Sequence, residues 1–531
     1  MIIDARSLPE GETIDVDLCI VGGGPAGVTL ALELAGTPLR VALIESGDLF
    51  YEDDTQELYA GPNLGFQYDP LDEARLRFLG GSSNHWSGHC MRLARVDFEK
   101  RDWMKWSGWP IGYDDLEPYY DRAQPYFELH EERPYDIDYW AKRLGYDLLD
   151  LDPDLLSNVS INSSPPTAFG FVYEDALRQA ENVTVYLNAN VLDIETNAEA
   201  SHVTGLDIAC IDGPRLRAEA RRFVLCMGGI EIPRLLLLSN KVAPRGLGNQ
   251  NDLVGRFFAD HAAIRPAMRV LLNKSGPDPI FYNEPHWLDD IGGMFPAVVS
   301  SDELLRREKI AGFVFHVFAD TYSPGELSLR KLIRGALQGE DVPYLSTQVS
   351  NVLTDMDGAL NGVWRKVGDP SDTLIDRNWV TPWLGFECIP NYDSTVHLVD
   401  ETDRFGQRRI ALDWQVTEQE MHTVKRATEI FSREISRKGI GRVWSEVPRE
   451  DYDWPSYVAR GKHHCGTTRM SDGPKTGVVN ADCRIHGMEN LYISSCSVFP
   501  TNGYATPTLT IAALSIRLAD LFRAEARAGR F

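Results

Sequence analysis

The sequence predicts an α/β fold with two large domains. An apolar strand, a glycine-rich turn and a helix follow one another near the N-terminus. A second apolar strand and a leucine-rich helix occur near residues 222–239, and an amphipathic helix ends the chain. With 531 residues, 43% of them hydrophobic, the chain can fill large cores, and no low-complexity linker divides it. We therefore expect a globular protein, neither disordered nor built on a disulfide framework.

The first unit combines a glycine motif with a following acidic residue. The strand VDLCIVG leads into GGGPAG and a helix, and Glu45 ends the next apolar strand. Gly22, Gly24 and Gly27 form the pattern G-x-G-x-x-G. Such glycines let the backbone approach a pyrophosphate at a helix N-terminus, and the carboxylate accepts a hydrogen bond from a ribose hydroxyl. The unit predicts a Rossmann-like dinucleotide site, and the motif alone fits FAD and NAD equally.

Later segments of the chain return to this first domain. The apolar strand FVLCMGG and the leucine-rich helix beginning near Pro233 indicate a return to the nucleotide-binding sheet. We predict a discontinuous nucleotide-binding domain from residues 1–95, 170–262 and 462–531. Residues 96–169 and 263–461 then form a second, α+β domain. Eleven of the 12 tryptophans lie within residues 96–461, which suits a sugar-binding surface as well as ordinary core packing.

The C-terminal segment predicts a helix N-terminus suited to a ring that gains negative charge. A histidine loop, GKHHCGTTRM, precedes the strand LYISS, a polar turn and the final helix. Thr506 followed by Pro507 predicts a helix start with a hydroxyl N-cap and proline at the first helical position. The free amides of Thr508 and Leu509, with the positive end of the helix dipole, would then stabilise negative charge on a bound group.

Composition and charge exclude several classes of function. The 78 acidic and 53 basic residues give a net charge of −25, which disfavours a nucleic-acid partner. Eight cysteines without a C-x-x-C pair suggest neither a zinc site nor disulfides, and the histidines lack the H-E-x-x-H spacing, so no metal is expected. The N-terminus lacks a signal peptide, and no apolar run could span a membrane. We expect a soluble cytoplasmic protein.

Six ordered motifs together resemble the glucose-methanol-choline (GMC) family of flavin oxidoreductases. They are GGGPAG with Glu45, GGSSNHW, VLCMGGIEIPRLLLLS, VGRFFADH, HHCGTTRM and the NLYISSCSVFP…TPTLTIAAL tail. The pattern is most similar to bacterial sugar-oxidising and pyranose-oxidase-like members. The resemblance implies an enzyme with FAD as cofactor that oxidises alcohols, with an FAD-binding domain beside a substrate domain on a six-stranded sheet.

The resemblance also implies the catalytic residues. His463 matches the family's catalytic histidine, and a neutral imidazole can take a hydroxyl proton near pH 7 while flavin N5 accepts the hydride. His464 is interpreted as structural. Thr506 stands where relatives carry Asn or His, and a threonine cannot act as a base. We therefore expect His463 to act alone, with Thr506 positioning the substrate and Asn502 or Tyr504 as alternatives.

Contacts to FAD are predicted along the same motifs. The glycine-serine loop near residue 80 could wrap a flat ring, although such loops are often only connectors. His85 matches a histidine that some relatives attach covalently to the flavin, and a non-covalent loop histidine is the alternative. The complete predicted set is Gly22, Gly24, Gly27, Glu45, Gly81, Ser82, Asn84, His85, Val191, Ser495, Cys496 and Thr508.

The predicted substrate is a sugar or amino sugar, and oxidation of a primary hydroxyl of an aminoglycoside is the favoured reaction. The acidic chain would attract a polyamine-bearing sugar, and family members in aminoglycoside biosynthesis oxidise a primary sugar hydroxyl. Ring-carbon oxidation of a neutral pyranoside and oxidation of a non-sugar alcohol are the alternatives. A nicotinamide-dependent reductase and a flavin-binding protein without turnover leave the C-terminal motifs unexplained. Oxygen and another electron acceptor fit equally well, and the sequence does not indicate an oligomeric state.

Overall fold

The computed structural model covers most of the chain. It describes residues 1–129, 135–273, 280–283, 285–288, 292–319, 345–354, 379–449 and 457–531, with isolated positions at 328–329, 332–333, 356, 359–360 and 452.

Secondary-structure elements are numbered in chain order within the described residues. The strands are β1 Ile2–Asp4, β2 Thr13–Val21, β3 Val41–Ile44, β4 His89–Cys90, β5 Leu156–Ser163, β6 Val183–Leu187, β7 Asn190–Thr196, β8 Val203–Ala209, β9 Arg215–Leu225, β10 His261–Ile264, β11 Arg269–Leu272, β12 His286–Leu288, β13 Gly292–Ser300, β14 Phe313–Ala319, β15 Trp379–Glu387, β16 Thr395–Thr402, β17 Arg408–Asp413, β18 Gly441–Trp444, β19 Val458–Arg460 and β20 Leu491–Ile493. The helices are α1 Pro25–Glu33, α2 Asp53–Gln56, α3 Arg95–Phe98, α4 Tyr113–Ala123, α5 Ile137–Leu144, α6 Phe169–Val172, α7 Glu174–Gln179, α8 Gly228–Leu238, α9 Ile280–Asn283, α10 Asp302–Glu308, α11 Leu345–Thr354, α12 Glu418–Arg437 and α13 Thr508–Arg527.

The first sheet has the strand order β1-β6-β3-β2-β9-β8-β7, with β20 also beside β9. Its central strands are parallel, and β7 and β8 extend it in antiparallel fashion. The strand β3 and the second half of β2 are fully buried, as expected for parallel strands covered on both faces. Because β2, β3, β9 and β20 end at the same edge, the segments that follow them meet there, where open α/β sheets bind ligands.

The second sheet is largely antiparallel, with the order β18-β11-β15-β14-β13-β5-β4 and the strands β10, β12 and β19 attached at its sides. Helix α12 packs on it, with the rings of Phe315 and Phe431 4.3 Å apart between centroids. The α/β fold class with two sheets is thereby confirmed. The expected six strands are too few, since this sheet has ten within the described residues. The additional strands are only two to four residues long, too short for a readable alternation in the sequence.

The strands divide between the two sheets nearly as the predicted boundaries do. Strands of the first sheet all fall within residues 1–95, 170–262 and 462–531. Strand β4 belongs to the first of these segments but pairs with β5 of the second sheet. The separate hairpin β16–β17, inside residues 263–461, contacts helix α8, and Asp403 in its turn pairs with Arg234 of that helix. The exact boundaries therefore stay a prediction.

Among the helices that the structure describes, none combines the length and the apolar character needed to cross a membrane.

Candidate active site

A cavity of about 460 Å³ lies at the carboxyl edge of the first sheet and reaches the loop that carries His463. This volume is within the range of sites for small molecules and cofactors. Twelve of the fourteen predicted site residues line it: Gly22, Gly24, Glu45, Gly81, Ser82, His85, Val191, His463, Ser495, Cys496, Thr506 and Thr508. Gly27 and Asn84 are not among its lining residues.

The glycine loop presents bare backbone to the cavity. Gly22 has a φ of +103°, which favours glycine. A Cβ atom at Gly24 would meet no atom within 4 Å, so this position faces open space at the start of α1. A Cβ atom at Gly27 would lie 2.0 Å from the carbonyl oxygen of Gly22. Gly27 therefore supports the loop by allowing α1 to pack closely against it and does not contact the cavity.

The Glu45 carboxylate connects the loops that follow β2 and β3. Its Oε2 accepts a hydrogen bond from the Gly23 amide at 2.7 Å, and its Oε1 accepts one from the Gly47 amide at 2.8 Å. The side chain is 5% exposed and lines the cavity. Oε1 also accepts from the Ser46 hydroxyl at 3.1 Å, whereas Oε2 keeps a further lone pair for a hydroxyl. The predicted ribose contact is therefore compatible with this structural role.

A buried charged cluster, which sequence reasoning did not identify, borders the same cavity. Glu231 of α8 is 2.9 Å from Arg75, 3.4 Å from Arg77 and 3.4 Å from Arg234. Burial opposes ionisation of Glu231, but the three arginines outweigh it and lower its pKa to about 2. The signal was available, because charged residues interrupt the apolar helix sequence IEIPRLLLL.

Two buried donors in this part of the cavity lack partners within the described residues. They are Nε of Arg77 and Nδ2 of Asn190, whose side chains both line the cavity. Arg77 donates to Oδ1 of Asn190 at 3.2 Å, which orients both side chains. Buried donors without partners are unfavourable, so their presence on a cavity wall indicates a ligand with acceptor atoms.

The loop around residue 80 is held by its own side chains. Residues Gly81–Asn84 form a short 3-10 helix, and the Asn84 side chain donates to the carbonyl oxygen of Leu79 at 2.9 Å. Asn84 therefore shapes the loop without reaching the cavity. His85 and Trp86 do line it, and the Trp86 indole is fixed by a 3.0 Å hydrogen bond to the carbonyl oxygen of Thr167.

His463 is positioned by a hydrogen-bond network centred on Asp260. The fully buried Asp260 carboxylate accepts from the backbone amides of His261 and His463, both at 2.7 Å, and from the Tyr68 hydroxyl at 2.8 Å. The Nδ1 atoms of His261 and His463 are 2.9 Å apart. Burial lowers the pKa of each histidine to about 4, with His89 adding to the effect on His463. Both imidazoles are therefore neutral at pH 7.

His261 is the site residue that sequence reasoning missed. It begins β10, and its Nε2 lies 3.2 Å and 3.0 Å from the carbonyl oxygens of Asn502 and Gly503. The motif VGRFFADH contributed to the family resemblance, but nothing in its local sequence indicates a contact with a residue 202 positions away. The strands β10 and β19 create that contact, because they pair and bring Gly461 next to His261.

The predicted N-cap role of Thr506 is wrong. Helix α13 begins at Thr508 with Pro507 as its N-cap, and no side chain caps it. The Thr506 hydroxyl donates to the carbonyl oxygen of His89 at 2.7 Å, because β4 passes close to this turn. Thr506 and Thr508 still line the cavity, so the unpaired amides in the first turn of α13 lie next to it.

The two residues considered as alternatives to Thr506 do not line the cavity. The Asn502 side chain donates to the carbonyl oxygen of Asp260 at 3.0 Å, and neither Asn502 nor Tyr504 is among the lining residues. His464 is 8% exposed and packs against the rings of Tyr68 and Phe258. His463 is one of four histidines on the cavity wall, with His85, His89 and His464, and burial lowers the pKa of each. Among them, His463 is the one that the family resemblance identifies as catalytic, and its neutral imidazole is suited to accept a proton.

One group of potential metal ligands occurs in the described part of the chain. One ligand atom each of Asp260, His261 and His463 lies within 4.8 Å of the others. The Asp260 oxygens already accept the three hydrogen bonds described above and a fourth from the Lys462 amide at 3.1 Å. The contacts among these residues are therefore those of a hydrogen-bond network.

Two family models match segments of the chain that contribute residues to this cavity. Residues 17–246 match the family model described as FAD dependent oxidoreductase, and residues 390–515 match that described as GMC oxidoreductase. The fructose dehydrogenase large subunit of Gluconobacter japonicus is 22% identical, over 96% of this chain and 98% of that protein. The paromamine 6'-oxidase of Streptomyces fradiae is 23% identical, over 95% of this chain and 90% of that protein. The crystal structure of pyridoxine 4-oxidase from Mesorbium loti superposes with a TM-score of 0.55 at 17% identity, covering 96% of this chain and 99% of that one.

Proposed function

Because the chain belongs to the GMC family of FAD-dependent oxidoreductases, which makes it an alcohol-oxidising enzyme, we propose that it oxidises a CH–OH group of a small neutral sugar or polyol, with His463 as the proton acceptor. The observation that carries the proposal is the neutral imidazole of His463 on the cavity wall, near the N-terminus of α13. Oxidation of an alcohol removes one hydroxyl proton and one hydride, and the site has to receive both.

The residues that line the cavity fit the chemical groups of FAD. Open space at Gly24, the first turn of α1 and the partnerless donors of Arg77 and Asn190 fit a pyrophosphate and other acceptor groups. Glu45 would accept from the ribose, and the first turn of α13 at Thr508 would face the ring system. FAD, when bound, accepts the hydride that leaves the carbinol carbon.

The proton of the substrate hydroxyl is accepted by a side chain of the protein. His463 is neutral at pH 7, since burial keeps its pKa near 4, so its ring is ready to accept a proton. A base of this strength suffices, because the hydroxyl becomes strongly acidic as the hydride departs and a carbonyl forms. Thr506 has committed its hydrogen to the carbonyl of His89 and can act toward substrate only as an acceptor.

The charges around the cavity support a neutral substrate over an amino sugar. Among the described lining residues, the acidic ones are Glu45, Glu231 and Asp403. All three already bond to backbone amides or arginines. The lining residues near His463 include Lys462 and His85 but no carboxylate within the described chain. An ammonium group of an amino sugar would find no free carboxylate on these walls.

The proposal is tested by anaerobic reduction of the purified yellow holoenzyme. The panel comprises D-fructose, methyl β-D-glucoside, 2-methyl-1,2-propanediol and paromamine, and bleaching of the flavin is followed by stopped-flow absorbance. We expect a neutral sugar or polyol to bleach the flavin fastest. His463→Ala should lower that rate on the order of 10²- to 10⁴-fold, whereas His422→Ala, at an exposed position of α12, should not change it.

Two results would count against the proposal. Faster bleaching by paromamine, with strong weakening by salt, would assign an amino-sugar substrate instead. A His463→Ala enzyme that retains full flavin and is reduced within tenfold of the wild-type rate would remove His463 as the proton acceptor.

A further inference from the structure

We propose that His261 is a positioning residue that fixes the tautomer of His463, so that Nε2 of His463 carries the lone pair that accepts the proton. The proposal rests on the proposed function of His463 and extends it to the group behind that residue. The structure assigns the roles through three consecutive contacts, which run from two backbone carbonyls to His261 and from His261 to His463.

The first contacts determine the tautomer of His261. Its Nε2 lies 3.2 Å from the carbonyl oxygen of Asn502 and 3.0 Å from that of Gly503. A carbonyl oxygen can only accept a hydrogen bond, so Nε2 of His261 must carry the hydrogen. Because the ring is neutral at pH 7, its Nδ1 is then unprotonated and can only accept.

The next contact transfers this constraint to His463. The two Nδ1 atoms are 2.9 Å apart, a normal hydrogen-bond distance. Since Nδ1 of His261 can only accept, Nδ1 of His463 must donate. Neutral His463 consequently has its hydrogen on Nδ1 and a bare Nε2, for which the described residues provide no hydrogen-bond partner. Without His261, the ring is free to adopt the opposite tautomer, in which Nε2 is protonated and cannot accept.

Asp260 holds the two imidazoles at this distance. Its carboxylate accepts from the backbone amides of both histidines at 2.7 Å, and the Gly461 amide donates to the carbonyl of His261 at 2.7 Å. The two residues that carry the rings are thus tied to one fully buried side chain. Their ring planes meet at 74°, which lets one nitrogen of each ring point toward the other.

The backbone carbonyls of Asn502 and Gly503, which accept from Nε2 of His261, are fixed as well. The Asn502 side chain donates to the carbonyl of Asp260 at 3.0 Å, and the Gly503 amide donates to Glu387 at 3.3 Å. Glu387 lies directly across from His261 in the β10–β15 register and is held by Arg101 at 2.6 Å and 2.8 Å. The direction of every hydrogen bond in the chain is therefore set by groups that cannot reverse it.

Two substitutions at His261 distinguish control of the His463 tautomer from simple packing against the His463 ring. His261→Phe keeps a planar ring but removes the acceptor. In His261→Asn, Oδ1 takes the place of the imidazole Nδ1 and can accept from His463. Flavin reduction by the fastest substrate of the panel should slow on the order of 10²- to 10³-fold in the Phe variant, with KM within about threefold, because tautomer loss impairs only the proton transfer. The Asn variant should stay within about tenfold of wild type.

Nitrogen-15 NMR of histidine-labelled protein reads the tautomer directly and needs no substrate. The His463 signals are assigned by their loss in His463→Gln. We expect Nδ1 of His463 protonated and Nε2 bare at pH 7 in the wild type and in His261→Asn, and a protonated Nε2 in His261→Phe. If the Phe variant does not fold, the spectra of the wild type and of the Asn variant still determine the tautomer of His463.

Several results would overturn the role of His261 or that of His463. A protonated Nε2 on His463 in the wild type overturns the proposal, as does a His261→Phe enzyme with wild-type rates. Stoichiometric Zn²⁺ binding that His261→Asn abolishes would overturn it too, since the pair would then be a metal site. If His463→Ala is itself reduced at the wild-type rate, the proposed function of His463 fails, and the NMR result reports the tautomer independently.

Discussion

At the scale of the residue, the Glu45 carboxylate has two roles. It stabilises two loops of the fold, and it lines the cavity where the ribose is proposed to bind. It accepts hydrogen bonds from the backbone amides of Gly23 and Gly47. The carboxylate therefore joins the loops after two parallel strands before any ligand binds. Hydrogen bonds to a charged group contribute about 1.5–3 kcal/mol each. A motif residue of this kind is therefore required for the shape of the loop as well as for the contact with the ribose.

Glu45→Gln tests this double role. The side-chain amide introduced by the substitution places an N–H against the N–H of one loop, so one hydrogen bond is lost. We expect the free energy of unfolding of the flavin-free protein in urea to fall by about 1–3 kcal/mol, and FAD affinity to weaken as well. Glu181→Gln, at an exposed position, should change neither quantity. An unchanged unfolding curve with weaker FAD binding would show that Glu45 acts on the ligand alone.

At the scale of the element, the N-terminus of α1 separates two uses of glycine. Gly24 has an extended backbone that alanine also adopts, and its missing Cβ leaves open space over the cavity. Gly27 is needed inside the protein, where a Cβ atom would overlap the carbonyl of Gly22. The same motif thus contains one glycine for the ligand and one for the packing of helix on loop.

The pair Gly24→Ala and Gly27→Ala distinguishes these uses. We expect Gly24→Ala to leave the unfolding of the flavin-free protein within about 0.5 kcal/mol of wild type, and to weaken FAD binding at least about tenfold, because its methyl group occupies ligand space. Gly27→Ala should lower the unfolding free energy by about 1–3 kcal/mol through overpacking. Urea unfolding and fluorescence titration with FAD measure both quantities. Equal losses of stability in the two variants would refute this division.

The sequence predicted those elements whose identity depends on local pattern. Strand β2, helix α1 and Glu45 were predictable because periodicity, glycine chemistry and spacing are local properties. The start of α13 was predicted only approximately. The hydroxyl of Thr506 satisfies its hydrogen bond on β4, more than 400 residues earlier in the chain, and no local rule contains that contact. The pairing of His261 with His463 escaped prediction for the same reason.

At the scale of the whole molecule, a second group of buried charges, Arg101, Glu387 and Asp97, connects the second sheet to the turn before α13. Arg101 forms a two-point ion pair with Glu387 of β15, and both side chains are fully buried. Glu387 also accepts from the amide of Gly503, in the turn that leads to α13. Asp97 lies next to this turn, since a Cβ atom at Gly503 would come within 2.3 Å of its carboxylate. The turn that orients His261 therefore depends on charges contributed by distant segments.

The ionisation of Asp97 makes this junction sensitive to pH. Burial, and secondarily the charge of Glu387, raise the pKa of Asp97 to about 7. The folded state then holds a proton that the unfolded chain releases near pH 4, so this carboxyl destabilises the fold increasingly as pH rises from about 4 to about 7. Asp97→Asn should remove that dependence, because the asparagine oxygen can still accept from the Ala94 amide.

The difference in unfolding free energy between Asp97→Asn and wild type should therefore increase with pH, by up to about 1.4 kcal/mol per pH unit for one titrating group. It should level off above about pH 7, where Asp97 is ionised in both folded and unfolded chains. Urea unfolding of the holoenzyme at pH 5, 6, 7 and 8 measures it, with the exposed Asp147→Asn as the matched control. A constant difference across this range would mean that Asp97 is already ionised at pH 5. In that case the negative charges of Asp97 and Glu387 would coexist beside Arg101, and the junction would be held by the ion pair alone.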